Sequence, residues 1–275
     1  MEHRSDEYYD IYFINKNDSN RKRLIQKPSD RLKQKQKDLI PLYSQFPLDP
    51  ACACAKGLGP LYAATPHLEA KYLLKIDISN CFENITLDKT YKVISKSPID
   101  SSLKEEMIKN LSTCFINWNQ KTMLPTGSPT SPILCNISLS HIDKLVTKIA
   151  KKNDYVYTRY MDDLNISTKK ENRDWPLINE IKNLLITEEY PINHKKTKWY
   201  GKGNNDAKIV AGINLETISR REIKRLVRAR LNNLAKSNKP FDHITNGYLA
   251  YIKSIDQITY NKLINYYHKR KTLFI

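Results

Sequence analysis

Two adjacent aspartates sit in a run where apolar and polar residues alternate, and few folds can carry such a pair. From Tyr155 to Thr168 the alternation predicts two short strands around a tight turn at Asp162-Asp163. At a hairpin tip two carboxylates repel each other. A divalent metal relieves that repulsion, and hard Mg²⁺ prefers carboxylate oxygens. A second acid occupies a comparable place: Lys71 to Ile78 reads as a buried strand with Asp77 near its end, where an unpaired carboxylate is costly. If the two strands are neighbours in one sheet, Asp77 and Asp162 converge on the same edge. That arrangement suits a two-metal site, with one ion activating a sugar hydroxyl and the other steadying a triphosphate and its pyrophosphate. Taken alone, each acid also has an ordinary reading, a solvated turn for the pair and a helix cap or paired acid for Asp77.

Charge narrows the class of partner. The chain carries 46 Lys and Arg against 29 Asp and Glu, a net charge of +17, and a surface this basic commonly faces nucleic acid phosphates. Its 275 residues, 40% of them hydrophobic, suffice for a core in one large domain or two small ones. No apolar stretch approaches the roughly 20 residues of a membrane span, and Met1 to Glu7 lacks the apolar run of a signal peptide. A cytosolic protein, neither membrane-bound nor secreted, is therefore expected. The cysteines, Cys52, Cys54, Cys81, Cys114 and Cys135, are odd in number and form no CxxC pair or zinc-spaced cluster. Reduced thiols packed as small hydrophobes are the better reading.

The remaining pattern is α+β with an antiparallel sheet and a basic helical tail. Tyr8 to Asn15 alternates like a strand, Asn17 to Asn20 signals a turn, and Arg23-Leu24-Ile25 returns as the partner. Ser29 is an N-cap candidate for a helix that Pro47 and Pro50 end. Helices are expected over Leu103 to Trp118, Ile133 to Ala150, Trp175 to Ile186, Arg220 to Ala235 and Gly247 to His268, and a strand over Ile209 to Leu215.

With these motifs in order, the sequence resembles a reverse transcriptase of the bacterial retron type. Arg23 to Ser29, with Leu32, Lys33 and Gln36, resembles the fingers segment, and Lys75-Ile76-Asp77-Ile78, with Phe82 and Ile85, the palm strand. Leu124 to Pro132, then Asn136, is similar to the template- and nucleotide-contacting loop and helix; Tyr157 to Asp163 matches the catalytic hairpin; Ile192 to Thr197 matches the segment after the palm helix. Ala63-Ala64-Thr65-Pro66-His67 resembles a retron-specific Asn-Ala-x-x-His and Val210-Ala211-Gly212 resembles Val-Thr-Gly, with Ala63 and Ala211 departing from the pattern. Thr126 stands where the family usually has Gln.

The resemblance implies a right-hand polymerase: fingers over residues 1–70, a palm over 71–215 with a fingers insertion at about 88–132, and a helical, RNA-binding thumb over 216–275. It implies two Mg²⁺ ions held at Asp77, Ile78, Asp162 and Asp163, the three acids being catalytic. Phe82 would act as a gate against ribonucleotides, its plain alternative being core packing. Arg23 would grip the triphosphate, with Lys22 as its rival in Arg21-Lys22-Arg23. Lys196 would protonate or neutralise the pyrophosphate, or simply be solvated; Thr126 and Gly127 would lie beside the nascent pair, Gly127 alternatively as a turn glycine. His67 would contact RNA or cap a loop. Arg221, Lys224, Arg225 and Arg228 share one helical face, interrupted by Glu222 alone, and would track nucleic acid phosphates. The tyrosines of the tail read as core, with base stacking as the alternative. The implied activity is RNA-directed DNA synthesis from deoxynucleotides, copying a cognate structured non-coding RNA into small multicopy DNA for anti-phage defence, with a separate effector protein. The alternatives are a non-retron defence reverse transcriptase making repetitive or untemplated DNA, and an inactive RNA-binding scaffold.

Overall fold

A computed structural model describes residues 4–5, 8–15, 22–55, 57–171, 173–201, 206–215, 221–237 and 240–273, the side chains at 4–5, 221–223 and 255 excepted. β1 (Arg4–Ser5), β2 (Tyr9–Asn15) and β3 (Lys22–Pro28) form a three-stranded antiparallel sheet, with Tyr9 opposite Pro28 and Asn15 opposite Lys22. The expected hairpin is thus present; its turn at Asn17 to Asn20 lies outside the described residues. Ser29 caps α1 (Asp30–Tyr43) by accepting from the Leu32 amide at 3.5 Å. This helix stops short of Pro47, and it contains Pro41, whose missing N–H weakens its last turn.

Beyond α2 (Pro60–Ala64), β4 (Tyr72–Asp77) starts the central sheet. Three short helices follow: α3 (Cys81–Asn84), α4 (Leu87–Ser95), capped by Thr86, and α5 (Ser101–Leu111), capped by Asp100. The helix expected to reach Trp118 ends at Leu111. Ile116 to Trp118 is β5, paired with β6 (Lys121–Met123) across Asn119 and Gln120, both at positive φ. That left-handed pair makes a hairpin, and it lets Ile116 and Met123 bury against Tyr9 and Ile11 of the first sheet.

The long α6 (Ser131–Lys152) leads into β7 (Val156–Tyr160) and β8 (Asp163–Thr168), then α7 (Trp175–Thr187) and β9 (Lys198–Gly201). The central sheet has the order β7-β8-β4-β9, antiparallel throughout. Its alternation decides everything at the site. Leu74, Ile76 and Ile78 of the first acid's strand, with Leu164 and Ile166 of β8, pack in one core with Leu134, Ile137, Ile142 and Ile181 of α6 and α7. Lys75 and Asp77 occupy the alternate positions and emerge on the other face. Each of those buried side chains contributes about 1.5–3 kcal/mol, so a one-residue slip, which would turn Asp77 into the apolar core and Ile76 out of it, is strongly disfavoured.

Past β9 the expected single strand over Ile209 to Leu215 is a two-stranded hairpin, β10 (Ile209–Val210) and β11 (Ile213–Asn214), turned by Ala211 (φ 46°) and Gly212 (φ 77°). It packs with Ala53, Ala63, Ala64 and Leu73, so the Ala63 to His67 and Val210 to Gly212 segments meet in one small cluster. The tail forms α8 (Arg221–Lys236), α9 (His243–Ile255) and α10 (Gln257–Lys271) around a separate core of Val227, Leu231, Leu249, Ile252, Leu263 and Tyr267. The stretch read as one helix is broken at Asp256, whose extended backbone (φ −155°, ψ 84°) frees its carboxylate to cap α10 at the Thr259 amide. All the cysteines are free thiols.

Candidate active site

β4 and β8 pair so that Asp77 lies directly opposite Asp163. Between the two strands of its hairpin the chain turns through Met161, at φ 58°, and Asp162. The carbonyl of Asp162 accepts the Ile78 amide at 3.1 Å. The three acids therefore meet at one end of the sheet from segments more than eighty residues apart in sequence. The loop after α7 closes the third side, Asn193 donating its amide to the Asp77 carbonyl at 2.8 Å and Ile192 bridging Ile78.

A cleft of about 510 Å³ opens on this face, lined by Arg23, Lys75, Asp77, Asp162, Asp163, Lys195, Lys196, Lys198 and Tyr200. Lys196 Nζ donates to Asp77 Oδ1 at 2.7 Å, and Lys75 Nζ lies 3.4 Å from Asp163 Oδ2. Burial holds the Asp162 carboxyl above its usual range, and the charges of Asp163 and Asp77 push the same way. The hydrogen bond to Asp77 raises the Lys196 ammonium in turn. Lys196 is 63% exposed and Asp77 only 8%, so the amine can swing into solvent cheaply while the carboxylate stays fixed.

The donor set fits a hard cation. The acidic groups lining the cleft are the three carboxylates of Asp77, Asp162 and Asp163, with no thiol or imidazole among the cleft-lining residues. Ile78 is buried, so only its carbonyl could reach an ion. Among the described residues no three acid, His or Cys side chains already stand at metal-binding spacing; the Asp77 and Asp163 oxygens are turned to their lysines.

Of the other residues singled out in the sequence, Arg23 joins the acids in the cleft, from the exposed end of β3. Thr126 and Gly127 do not line it. They are fastened to β3 instead, Gln26 N donating to Thr126 O at 2.8 Å and Thr126 N to Gln26 Oε1 at 3.1 Å. Gly127 has φ 126°, which calls for glycine, and a Cβ there would meet Gln26 O at 3.0 Å, a tight contact that adds to the strain. Phe82 is half-buried and packs against the main core beside the site.

His67 corrects an expectation. It is fully buried, Nδ1 lying 2.6 Å from Ser167 Oγ and Nε2 2.8 Å from Thr158 Oγ1. The Thr158 hydroxyl proton goes to Ala63 O, so Nε2–H donates to Thr158 and Nδ1 accepts from Ser167. Neither nitrogen remains for RNA; the ring staples β7 to β8. On α8, Lys224 pairs with Asp256 at 3.5 Å and the Arg228 guanidinium stacks 4.6 Å from the Tyr266 ring centroid, while Arg225 and Arg228 are both exposed. The side chains of Arg221 and Glu222 lie outside the described residues.

Sequence reasoning missed Lys75, although its place two residues before Asp77 puts it on the same face. It also missed the buried pair Arg159–Asp143, whose side chains are both 0% exposed, with Nε–Oδ1 and Nη2–Oδ2 at 2.8 and 2.7 Å. Nothing in the local pattern marks that partnership.

Comparison with known proteins adds an independent line. A family model described as reverse transcriptase (RNA-dependent DNA polymerase) matches residues 14–226. The retron Ec86 reverse transcriptase of Escherichia coli is 28% identical over 269 residues, covering 95% of this chain and 81% of that protein. The retron Ec83 reverse transcriptase of Escherichia coli is 31% identical over 204 residues, covering 70% of this chain and 64% of that protein. The retron Mx65 reverse transcriptase of Myxococcus xanthus is 28% identical, covering 85% and 58%. The matches thus span less than two thirds of the length of the Ec83 and Mx65 proteins. Among solved structures, telomerase from Candida albicans in complex with the TWJ fragment of telomeric RNA aligns with a TM-score of 0.51 at 12% identity, covering 95% of this chain and 54% of that one, a likeness of fold alone.

Proposed function

Since the chain belongs to the reverse transcriptase family, with retron enzymes among its relatives and the α+β fold of a right-hand polymerase, we propose that it extends a primer hydroxyl with deoxynucleotides on an RNA template. The observation that carries this reading is the convergence of Asp77, Asp162 and Asp163 at one sheet edge, facing Arg23 and Lys196 across the same cleft.

In this reading Asp77, Asp162 and Asp163, with the Ile78 carbonyl, hold two Mg²⁺ ions. When bound, such ions acidify the attacking hydroxyl and neutralise charge on the phosphates. Arg23 grips the triphosphate with its planar fork. Lys196, released from Asp77, neutralises or protonates the departing pyrophosphate. Phe82 lies beside the sugar and disfavours a 2′ hydroxyl. Residues 1–70 serve as fingers, 71–215 as palm with a fingers insertion near 88–132, and 216–275 as a thumb whose basic helix follows phosphates.

The retron relatives extend the proposal to a cognate structured RNA copied into small multicopy DNA, in a bacterial cytoplasm, with a separate effector protein in anti-phage defence. No described helix is long and apolar enough to cross a membrane. Sequencing the nucleic acid that co-purifies with the protein tests the proposal, together with primer extension on that RNA in Mg²⁺. A defined RNA–DNA hybrid, lost in an Asp162→Asn, Asp163→Asn double variant, is the expected result. Full biological effect from the double variant would instead point to a scaffold.

A further inference from the structure

Met161, the residue before the paired acids, holds a left-handed backbone that a β-unbranched side chain adopts at a cost of roughly 1–3 kcal/mol. Something must keep it there, and both of its main-chain polar groups are taken by side chains. Its N–H donates to Cys54 Sγ at 3.3 Å, and its carbonyl accepts from Arg159 Nη1 at 2.8 Å. These two partners are themselves joined. Asn136 Oδ1, from α6, accepts from Arg159 Nη1 at 3.2 Å and from Cys54 Sγ at 3.0 Å, while Asn136 Nδ2 reaches the Cys54 carbonyl at 3.4 Å.

The anchoring continues inward. Asp143 fixes Arg159 through both carboxylate oxygens and also accepts from the Tyr157 hydroxyl at 2.7 Å. The segment bearing Cys54 is tied to β7 by main-chain bonds, Arg159 N to Ala51 O at 2.8 Å and Ala53 N to Arg159 O at 2.9 Å. A buried ion pair of this kind adds little net stability. What it provides is a fixed direction for one guanidinium N–H.

The structure assigns Cys54, Asn136 and Arg159 as positioning residues: Cys54 and Arg159 clamp the Met161 peptide groups, Asn136 braces the two against each other, and together they set the direction in which the Asp162 carboxylate points. Rotation about the bonds on either side of Met161 would swing Asp162 away from Asp77 and Asp163, and the clamp opposes rotation from both sides. Its weakest member is the Cys54 thiol, since sulfur is a poor acceptor. A serine there keeps an acceptor and an alanine does not.

This inference rests on the polymerase reading for its functional half, so its test separates the two. Full-length wild type, Cys54→Ala, Cys54→Ser and Arg159→Lys are compared by three measurements. Amide hydrogen exchange at Met161 reads the clamp itself. Mn²⁺ titration followed by the free-ion electron paramagnetic resonance signal reads metal affinity. Primer extension reads kcat and the KM for deoxynucleotide. In Cys54→Ala the Met161 amide exchanges about tenfold faster, corresponding to one lost hydrogen bond. Mn²⁺ affinity and kcat each fall about 10–100-fold, as for a lost outer-shell partner, while KM stays within about twofold and the melting temperature is close to wild type. Cys54→Ser restores most of each loss, and Arg159→Lys, if folded, resembles Cys54→Ala. Unchanged exchange in a folded Cys54→Ala overturns the clamp. Faster exchange with wild-type Mn²⁺ affinity and kcat overturns the positioning role. If wild type neither binds Mn²⁺ nor extends primers, while exchange responds as stated, the clamp stands and the polymerase reading fails.

Discussion

His67 offers a sharp test of how the sheet beneath the site is held. Burial pushes its imidazole down to about 4 from an ordinary 6.5. A proton on the folded ring would have to face the Ser167 hydroxyl with a second N–H, where the network offers an acceptor only if that hydroxyl turns. The unfolded chain meets no such obstacle. The folded-state value is depressed, so the contribution is fully present above pH 6.5 and is lost as pH falls through the window from 6.5 to 4. Within that window the unfolded state binds nearly one more proton than the folded state, which gives a slope of about 1.4 kcal/mol per pH unit. Between pH 7.5 and pH 5 the loss from this residue is about 2 kcal/mol. Urea titrations of wild type and His67→Gln at several pH values measure it. The Gln variant starts less stable at neutral pH but is flatter by about 2 kcal/mol over that interval. Parallel curves for the two proteins would refute the assignment of a neutral, structural imidazole.

Further consequences can be checked in the same way. Asp162→Asn abolishes primer extension yet raises the metal-free melting temperature at neutral pH by on the order of 1–2 °C, because the raised carboxyl it replaces is destabilising once ionised; the gain disappears in acid, where both states are protonated, and a lower melting temperature at neutral pH would contradict the cost of burying this carboxylate beside Asp163 and Asp77. Gly127→Ala costs about 1–3 kcal/mol in urea denaturation, given its positive φ and the Gln26 carbonyl at 3.0 Å, and a neutral result would mean the loop is free to shift. Arg225→Ala lowers the slope of log affinity against log salt for an RNA–DNA hybrid by about 1, whereas Lys224→Ala, already paired with Asp256, lowers it less; equal slopes in all proteins would remove α8 from the interface. Phe82→Ala raises ribonucleotide incorporation relative to deoxynucleotide by about tenfold or more, and an unchanged ratio would leave Phe82 as a packing residue only.

What the residues disclosed beforehand depended on how local the determinant was. The Asp77 strand and the Asp162 hairpin were legible because period-two alternation and a charged end are properties of a few neighbours, and the same holds for the Ser29 cap. The hairpin of Ile116 to Met123 was not, since Asn119 and Gln120 carry left-handed backbones only because Ile116 and Met123 find Tyr9 and Ile11 more than a hundred residues away. The break at Asp256 was visible in principle, as an Asp three residues before Thr259, but helical periodicity on both sides hid it. For His67 the reading stayed divided between RNA contact and a loop cap for a related reason: its partners, Thr158 and Ser167, lie about a hundred residues away and the local sequence does not reveal them. Arg159 and Asp143 illustrate the limit, because sixteen residues separate them and nothing beside either one marks the other as its partner.

One joint in the molecule has a mechanical meaning. Gln26 and Thr126, a hundred residues apart, are laced by two hydrogen bonds running in opposite directions. Arg23 lies three residues upstream on the same strand, and Gly127 follows directly on the other side. If Arg23 takes a phosphate as proposed, that joint ties its strand to the glycine loop, so that a pull on the guanidinium would reach the loop as it would the far arm of a lever.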